Sequence, residues 1–161
     1  MEKYAKINGN YRYLLGRKWD ANLQQVTFVM LNPSTADHEQ DDRTLTRCIK
    51  FAQCWGYGSL EVVNLFAYRA TKRPHLLLAD DPVGPKNNYY IQLATNRAEA
   101  IIVAWGGSKY PRIMNRNEEV LSLICGKNID SLGLLTKDGH PRHPLYLPLS
   151  TERKPFLSAL P

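Results

Sequence analysis

The sequence predicts an α/β domain whose mainly parallel sheet is covered by helices on both faces. Three observations carry that prediction. Short apolar runs rich in β-branched residues alternate with segments of helical spacing along the chain. The runs are mostly continuously apolar, as strands hidden on both faces must be. Each run ends at a polar or glycine-containing turn, and strand–helix–strand repetition in one sheet implies right-handed crossovers.

Taken in order, Tyr11–Trp19 alternates loosely and reads as an extra N-terminal strand. Val26–Leu31 is a β-rich run that stops at Asn32-Pro33. Asp41 and Asp42 form a natural N-cap pair, followed by Leu45, Cys48, Ile49 and Ala52 at helical spacing. Gly56 and Gly58 end that helix. Leu60–Phe66 is a second strand. The Pro-rich stretch Arg69–Pro85 reads as a long loop with one helical turn at His75–Ala79. Lys86–Arg97 suits a helix with Tyr90, Ile91 and Ala94 inward. Ala100–Trp105 is a third strand, a helix follows around Asn115–Cys125, and Ser131–Leu135 is the fourth strand. The tail holds His140–Leu147 and a short basic end. The expected architecture is a three-layer α/β/α sandwich with a central, mainly parallel four-stranded sheet.

The 161 residues suit one domain spanning 1–161. No apolar run approaches the roughly 20 residues that cross a bilayer, and the N-terminus lacks the apolar core of a signal peptide. A soluble, cytoplasmic protein is expected, with no membrane partner. The three cysteines, Cys48, Cys54 and Cys125, are scattered. That spacing is neither a disulfide framework nor a zinc or iron–sulfur pattern. A net charge of +6 fits a polyanionic partner, since Lys and Arg release counterions from phosphates.

In a parallel α/β sheet the active crevice lies at the carboxyl ends of the strands. That rule brings Asn32–Thr35, Asn64–Arg69, Trp105–Gly107 and His140–Leu147 to one rim. Two resemblances enter on these residues. Met30–Asp37, Asp41–Thr44, Asp81–Pro85 and Gly139–Leu147 resemble a bacterial and phage family known only as a domain of unknown function, from about Arg12 to Leu147. More distantly, the order of motifs is similar to the uracil-DNA glycosylase superfamily. Leu31-Asn32-Pro33 resembles its first motif, whose Asn holds the attacking water. Val62–Leu65 resembles the segment whose Asn reads the flipped base. Ala104-Trp105-Gly106 resembles the phrase after its third strand. His143–Leu147 resembles its last motif, whose His stabilises the departing base and whose nearby Leu wedges into the duplex. Met30 stands where that superfamily has glycine, Leu145 stands where it has serine, and the cluster cysteines of its iron–sulfur branches are missing.

The resemblance implies a uracil-DNA glycosylase-like fold and a DNA glycosylase-like hydrolase that needs no metal or other cofactor and acts on DNA ahead of RNA. Asn32 and His143 are the expected catalytic residues. Asn64, Pro33, Ser34, Phe66, Tyr68 and Tyr146 are expected to bind substrate, with Phe66 or Tyr68 stacking on the base. Arg69, Lys137, Arg142, Leu145 and Leu147 are expected to hold the nucleic acid. The residue chemistry agrees. An Asn orients water without being a base, His donates to a base oxygen, and an amide both donates and accepts at a pyrimidine edge.

Structural readings stand beside these. Asn32-Pro33 also suits a strand-ending turn, and Asn64 also suits a satisfied buried amide. His140 reads as a solvated loop residue. Trp105, Tyr89 and Tyr90 read as core or near-core aromatics, and Cys48 as core. Two rival functions remain. One is a catalytically inactive nucleic-acid-binding module of the same fold. The other is a metal-dependent hydrolase using Asp37, His38, Asp41 and Asp42 with His140 and His143.

Overall fold

The structure, a computed structural model, describes residues 1–156. Residues 157–161 of the expected domain lie outside the described residues.

The fold is mixed α/β. Its strands are β1 (Glu2–Asn8), β2 (Tyr11–Lys18), β3 (Gln25–Met30), β4 (Ser59–Asn64), β5 (Ala100–Val103), β6 (Ile129–Leu132) and β7 (Arg153–Pro155). Among the described residues they form one seven-stranded sheet in the order β1-β2-β4-β3-β5-β6-β7. The central strands β4, β3, β5 and β6 run parallel. The β1–β2 hairpin flanks them antiparallel on one side and β7 on the other. The sheet is therefore wider than the four strands expected, and antiparallel at both margins.

The side chains of β3 show how the layers form. Val26, Phe28 and Met30 pack with Leu45, Cys48, Ile49 and Ala52 of helix α1 (Arg43–Cys54) on one face. Val29 and Leu31 pack on the other face with Ile91 and Ala94 of α2 (Asn87–Asn96) and Val120 of α3 (Arg116–Leu123). The alternation follows the period of 2 along a strand. Full burial of each such apolar side chain contributes about 1.5–3 kcal/mol. These central strands therefore anchor the fold, and the mostly exposed β1 does not.

What holds β1, besides its ladder with β2, is a polar contact distant in sequence. Tyr4 donates to the buried carboxylate of Glu61 at 2.8 Å. Glu61 also accepts from Gln25 and from Arg97. Burial, with the charge of Glu61 behind it, pushes the Tyr4 hydroxyl pKa up, so the phenol stays a donor. Gly16 makes room for the ring, because a Cβ there would lie 2.1 Å from Tyr4.

Several expectations shift. The fourth strand lies at Ile129–Leu132, not Ser131–Leu135, because Gly133 at φ +63° turns the chain and leaves Leu134 and Leu135 outside. Gly56 takes the left-handed conformation past α1, but Gly58 does not. Instead Gly58 lets Asp20 and Leu23 approach. The helical turn in the long loop is a 3-10 segment, Arg73–Leu78. A second 3-10 segment, Tyr110–Asn115, precedes α3. Among the described residues, no helix is long and apolar enough to cross a membrane.

Candidate active site

Parallel pairing sets the site. Met30 at the end of β3 pairs with Asn64 at the end of β4. The two strands then stay locked, as Leu65 N–H donates to Met30 O at 2.9 Å and Phe66 N–H to Leu31 O at 3.0 Å. Asn32 thus follows two residues past the position paired with Asn64, at the same end of the sheet. The tail returns to the same rim. Gly106 N–H donates to Pro141 O, and a Cβ on Gly106 would lie 3.6 Å from the Cβ of His143. Arg47 of α1 donates to the carbonyl of Leu147 and fixes the far end of that tail.

Together these loops enclose a cavity of about 140 Å3. Asn32, Asn64, His143 and Ser34 all line it, as the rim argument expects. Its apolar wall is Leu15, Met30, Leu31, Leu45, Cys48 and Val62. Arg12, Asp42, Thr44, Thr71 and Arg73 line it as well.

Asn32 has its side chain fixed. Nδ2 donates to Pro33 O at 3.0 Å and to Ala70 O at 2.7 Å, which leaves Oδ1 as its acceptor. Asn64 is 1% exposed, and neither its Nδ2 nor its Oδ1 has a partner among the described residues. Buried amides are ordinarily satisfied, and each orphaned group costs about 1–3 kcal/mol. Its backbone is held from beneath instead, where Asn87 Nδ2 donates to the carbonyls of Asn64 and Leu65 at 2.9 and 3.1 Å. No protein group among the described residues satisfies the Asn64 side chain.

His143 accepts the Leu145 N–H at Nδ1, 3.2 Å away, so a neutral ring carries its proton on Nε2. Burial, and then the charge of Arg73, push its pKa down to about 4 against the pull of Asp42. The ring is neutral at pH 7. Arg12 is 4% exposed and donates from Nη1 to Ala36 O at 2.9 Å. Burial pushes its pKa down to about 10, so it stays a cation at pH 7.

Asp42 organises this wall. It caps α1 by accepting from Leu45 N–H at 2.7 Å, and it accepts from Ser34 Oγ at 2.6 Å and Ala36 N–H at 3.3 Å. Burial works to raise its pKa, but these donors and the charge of Arg12 outweigh it and hold the carboxyl low. The neighbouring acids are also engaged. Asp37 accepts the N–H groups of Glu39 and Gln40, and Asp41 pairs with buried Arg17. Among the described residues no three His, Cys, Asp or Glu side chains converge to hold a metal ion.

Other expected site residues fall elsewhere. Phe66 is 1% exposed in the core between the sheet and α2, so it does not stack on a ligand in this cavity. Tyr68 sits edge-on to Tyr11 against that same core. Pro33 is buried and offers its carbonyl to Asn32. Tyr146 is 82% exposed on the tail. Leu147 packs against the α1-side core, which removes it as a wedge. Leu145 is half-buried beside Arg43, Arg47 and Lys50. Arg69, Lys137 and Arg142 are exposed, and Arg142 donates to Leu134 O. His140 is buried, not solvated. Its Nδ1 accepts from Trp105 Nε1 at 3.4 Å, and burial and Arg112 lower its pKa. Tyr89 is exposed, not core, whereas Trp105 and Cys48 are core.

Arg12, Thr71 and Arg73 were not expected at the site. An Arg within a strand pattern gives no sign of which loop it will reach, and the Pro-rich stretch carries no periodicity to place its side chains.

No curated protein and no solved structure matches the chain. A family model described as "Protein of unknown function (DUF1643)" matches residues 12–145, most of the chain, and the protein belongs to that family.

Proposed function

We propose that the chain is a DNA glycosylase-like hydrolase that draws a flipped base into this cavity and breaks its N-glycosidic bond. One observation carries the reading. Asn32, Asn64 and His143 converge on one cavity at the carboxyl ends of the parallel strands, and neither polar atom of the buried Asn64 amide has a partner among the described residues. Four parallel strands between helices support a uracil-DNA glycosylase-like architecture. Size adds to this, for a cavity of about 150 Å3 holds a benzene ring. At about 140 Å3 this one suits a single six-membered ring.

The chemistry follows from the side chains. Asn64 donates to a ring carbonyl and accepts from a ring N–H, which repays its missing partners. As the bond between the sugar carbon and the ring nitrogen breaks, its electron pair stays on the ring and the sugar becomes cation-like. Neutral His143 donates from Nε2 to a base oxygen as that charge builds. Oδ1 of Asn32 orients the water whose oxygen joins the sugar carbon, and the proton shed by the water neutralises the ring. Exposed Arg69, Lys137 and Arg142 supply phosphate contacts, and Leu145 and Tyr146 lie outside the cavity on the same tail. Neither a metal nor another cofactor is required, and a cytoplasmic setting fits the free thiols of Cys48, Cys54 and Cys125.

The test is base release from duplex and single-stranded DNA carrying uracil or modified pyrimidines, with chelator present and alkali revealing abasic sites. Release by the wild type, lost in Asn32→Ala and His143→Ala, supports the reading. Salt-sensitive binding without release from the whole panel would instead make the chain a binding module.

A further inference from the structure

Arg12 is the second buried side chain in the cavity wall that lacks its partners. Of the five N–H donors of an arginine, Nη1 reaches Ala36 O, whereas buried Nε has no partner among the described residues. Arg12 forms no ion pair there either. The carboxylates whose charge it feels accept from other donors, Asp42 from Ser34, Ala36 and Leu45, and Asp37 from Glu39 and Gln40. Asp42 and Asp37 favour the cation from a distance, but no carboxylate touches it, and natural proteins keep buried charges in direct contact with a partner or a ligand.

We propose that Arg12 takes the negative charge of a six-membered ring bound in this cavity, so that the site favours the base as an anion over the neutral base. The inference rests on the glycosylase-like reading and adds to it a residue that acts on the leaving group. Arg12 is 4% exposed and lines the same cavity as Asn64, so a ring held there lies beside its charge. The volume of about 140 Å3 is that of a ring without further substituents. The ring's own charge remains, and it appears when the glycosidic electron pair stays on the ring nitrogen. His143, neutral at pH 7, polarises that charge without balancing it. Arg12, which keeps its proton well above neutral pH, balances it.

The test compares two rings of similar size by calorimetry at pH 7, barbiturate as the anion and uracil as the neutral ring. The wild type should bind barbiturate about tenfold or more tighter, the scale of one hydrogen bond to a charged group. Arg12→Gln should abolish that preference, and Arg12→Lys should keep part of it. Equal binding of the two rings by the wild type would overturn the inference. So would a preference that survives Arg12→Gln, or inorganic phosphate displacing the ring from the wild type but not from Arg12→Gln. Failure of both rings to bind would overturn it too. Should Arg12→Gln lose its thermal unfolding transition, the wild-type ratio alone decides. Base release measured in parallel distinguishes failure here from failure of the hydrolase reading.

Discussion

The Leu145 N–H donates to Nδ1 of His143 at 3.2 Å, and this contact decides which end of the imidazole can serve a ligand. With Nδ1 accepting, the neutral ring presents an N–H at Nε2. Burial then keeps it neutral, with a pKa near 4 against an ordinary 6.5.

That depression has a measurable sign. Between pH 6.5 and about 4 the unfolded chain binds a proton at His143 and the folded chain does not. This part of the stability is complete above pH 6.5 and is lost as pH falls toward 4. The full span amounts to about 3 kcal/mol at roughly 1.4 kcal/mol per pKa unit. Urea melts at pH 7 and pH 4.5 should show it in the wild type and show it reduced in His143→Gln. An unchanged slope in the variant would contradict the burial of this ring.

Asn87 holds Asn64 in place through its backbone. Asn87→Ala withdraws a donor from two buried carbonyls, and we expect a loss of about 1–3 kcal/mol in urea unfolding. Pyrimidine binding at the cavity should weaken alongside. A variant as stable as the wild type would show that these bonds carry no net energy.

Asp42 joins the cap of α1 to the loop that carries Ser34. Asp42→Ala should cost about 2 kcal/mol, the upper range for a lost N-cap, because two further donors lose their acceptor. Asp42→Asn keeps one acceptor oxygen and should cost less. Thermal melts of the two variants rank them, and the reverse order would contradict the capping role.

Gly16 has a steric task. Gly16→Ala places a methyl group in the Tyr4 ring, so β1 must shift and the Tyr4–Glu61 bond must loosen. We expect a cost of about 1–3 kcal/mol, typical of overpacking, and faster amide exchange in Glu2–Asn8. Undiminished protection of that strand would refute the contact.

How much of this was legible in the sequence varies element by element. The central strands were readable because burial on both faces forces continuous apolar runs, as in Val26–Leu31 and Ala100–Trp105. The start of α1 was readable because Asp42 caps it with its own side chain. Strand β1 was not, since its residues are mainly polar and its stability comes from distant Glu61 and Gly16. Strand β7 has only three residues and carries no period. The strand-end rule and the resemblance singled out Asn32, Asn64 and His143, and all three line one cavity. Phe66 was misplaced because a residue just past a strand end can face either layer, and it faces α2. Arg12 went unnoticed because nothing local to Tyr11–Trp19 records that its side chain reaches the loop at Ala36.

The central claim is that Asn32, Asn64 and His143 serve one bond-breaking event in one cavity. Single-turnover release of a pyrimidine base from labelled DNA tests it most directly, with wild type, Asn32→Ala, His143→Ala and Asn64→Ala compared at pH 7. The account predicts release by the wild type and losses of about 10²–10³-fold in each variant, the scale of a removed positioning or charge-stabilising group. Release that is unchanged in Asn32→Ala and His143→Ala would contradict it and place the chemistry elsewhere on the chain.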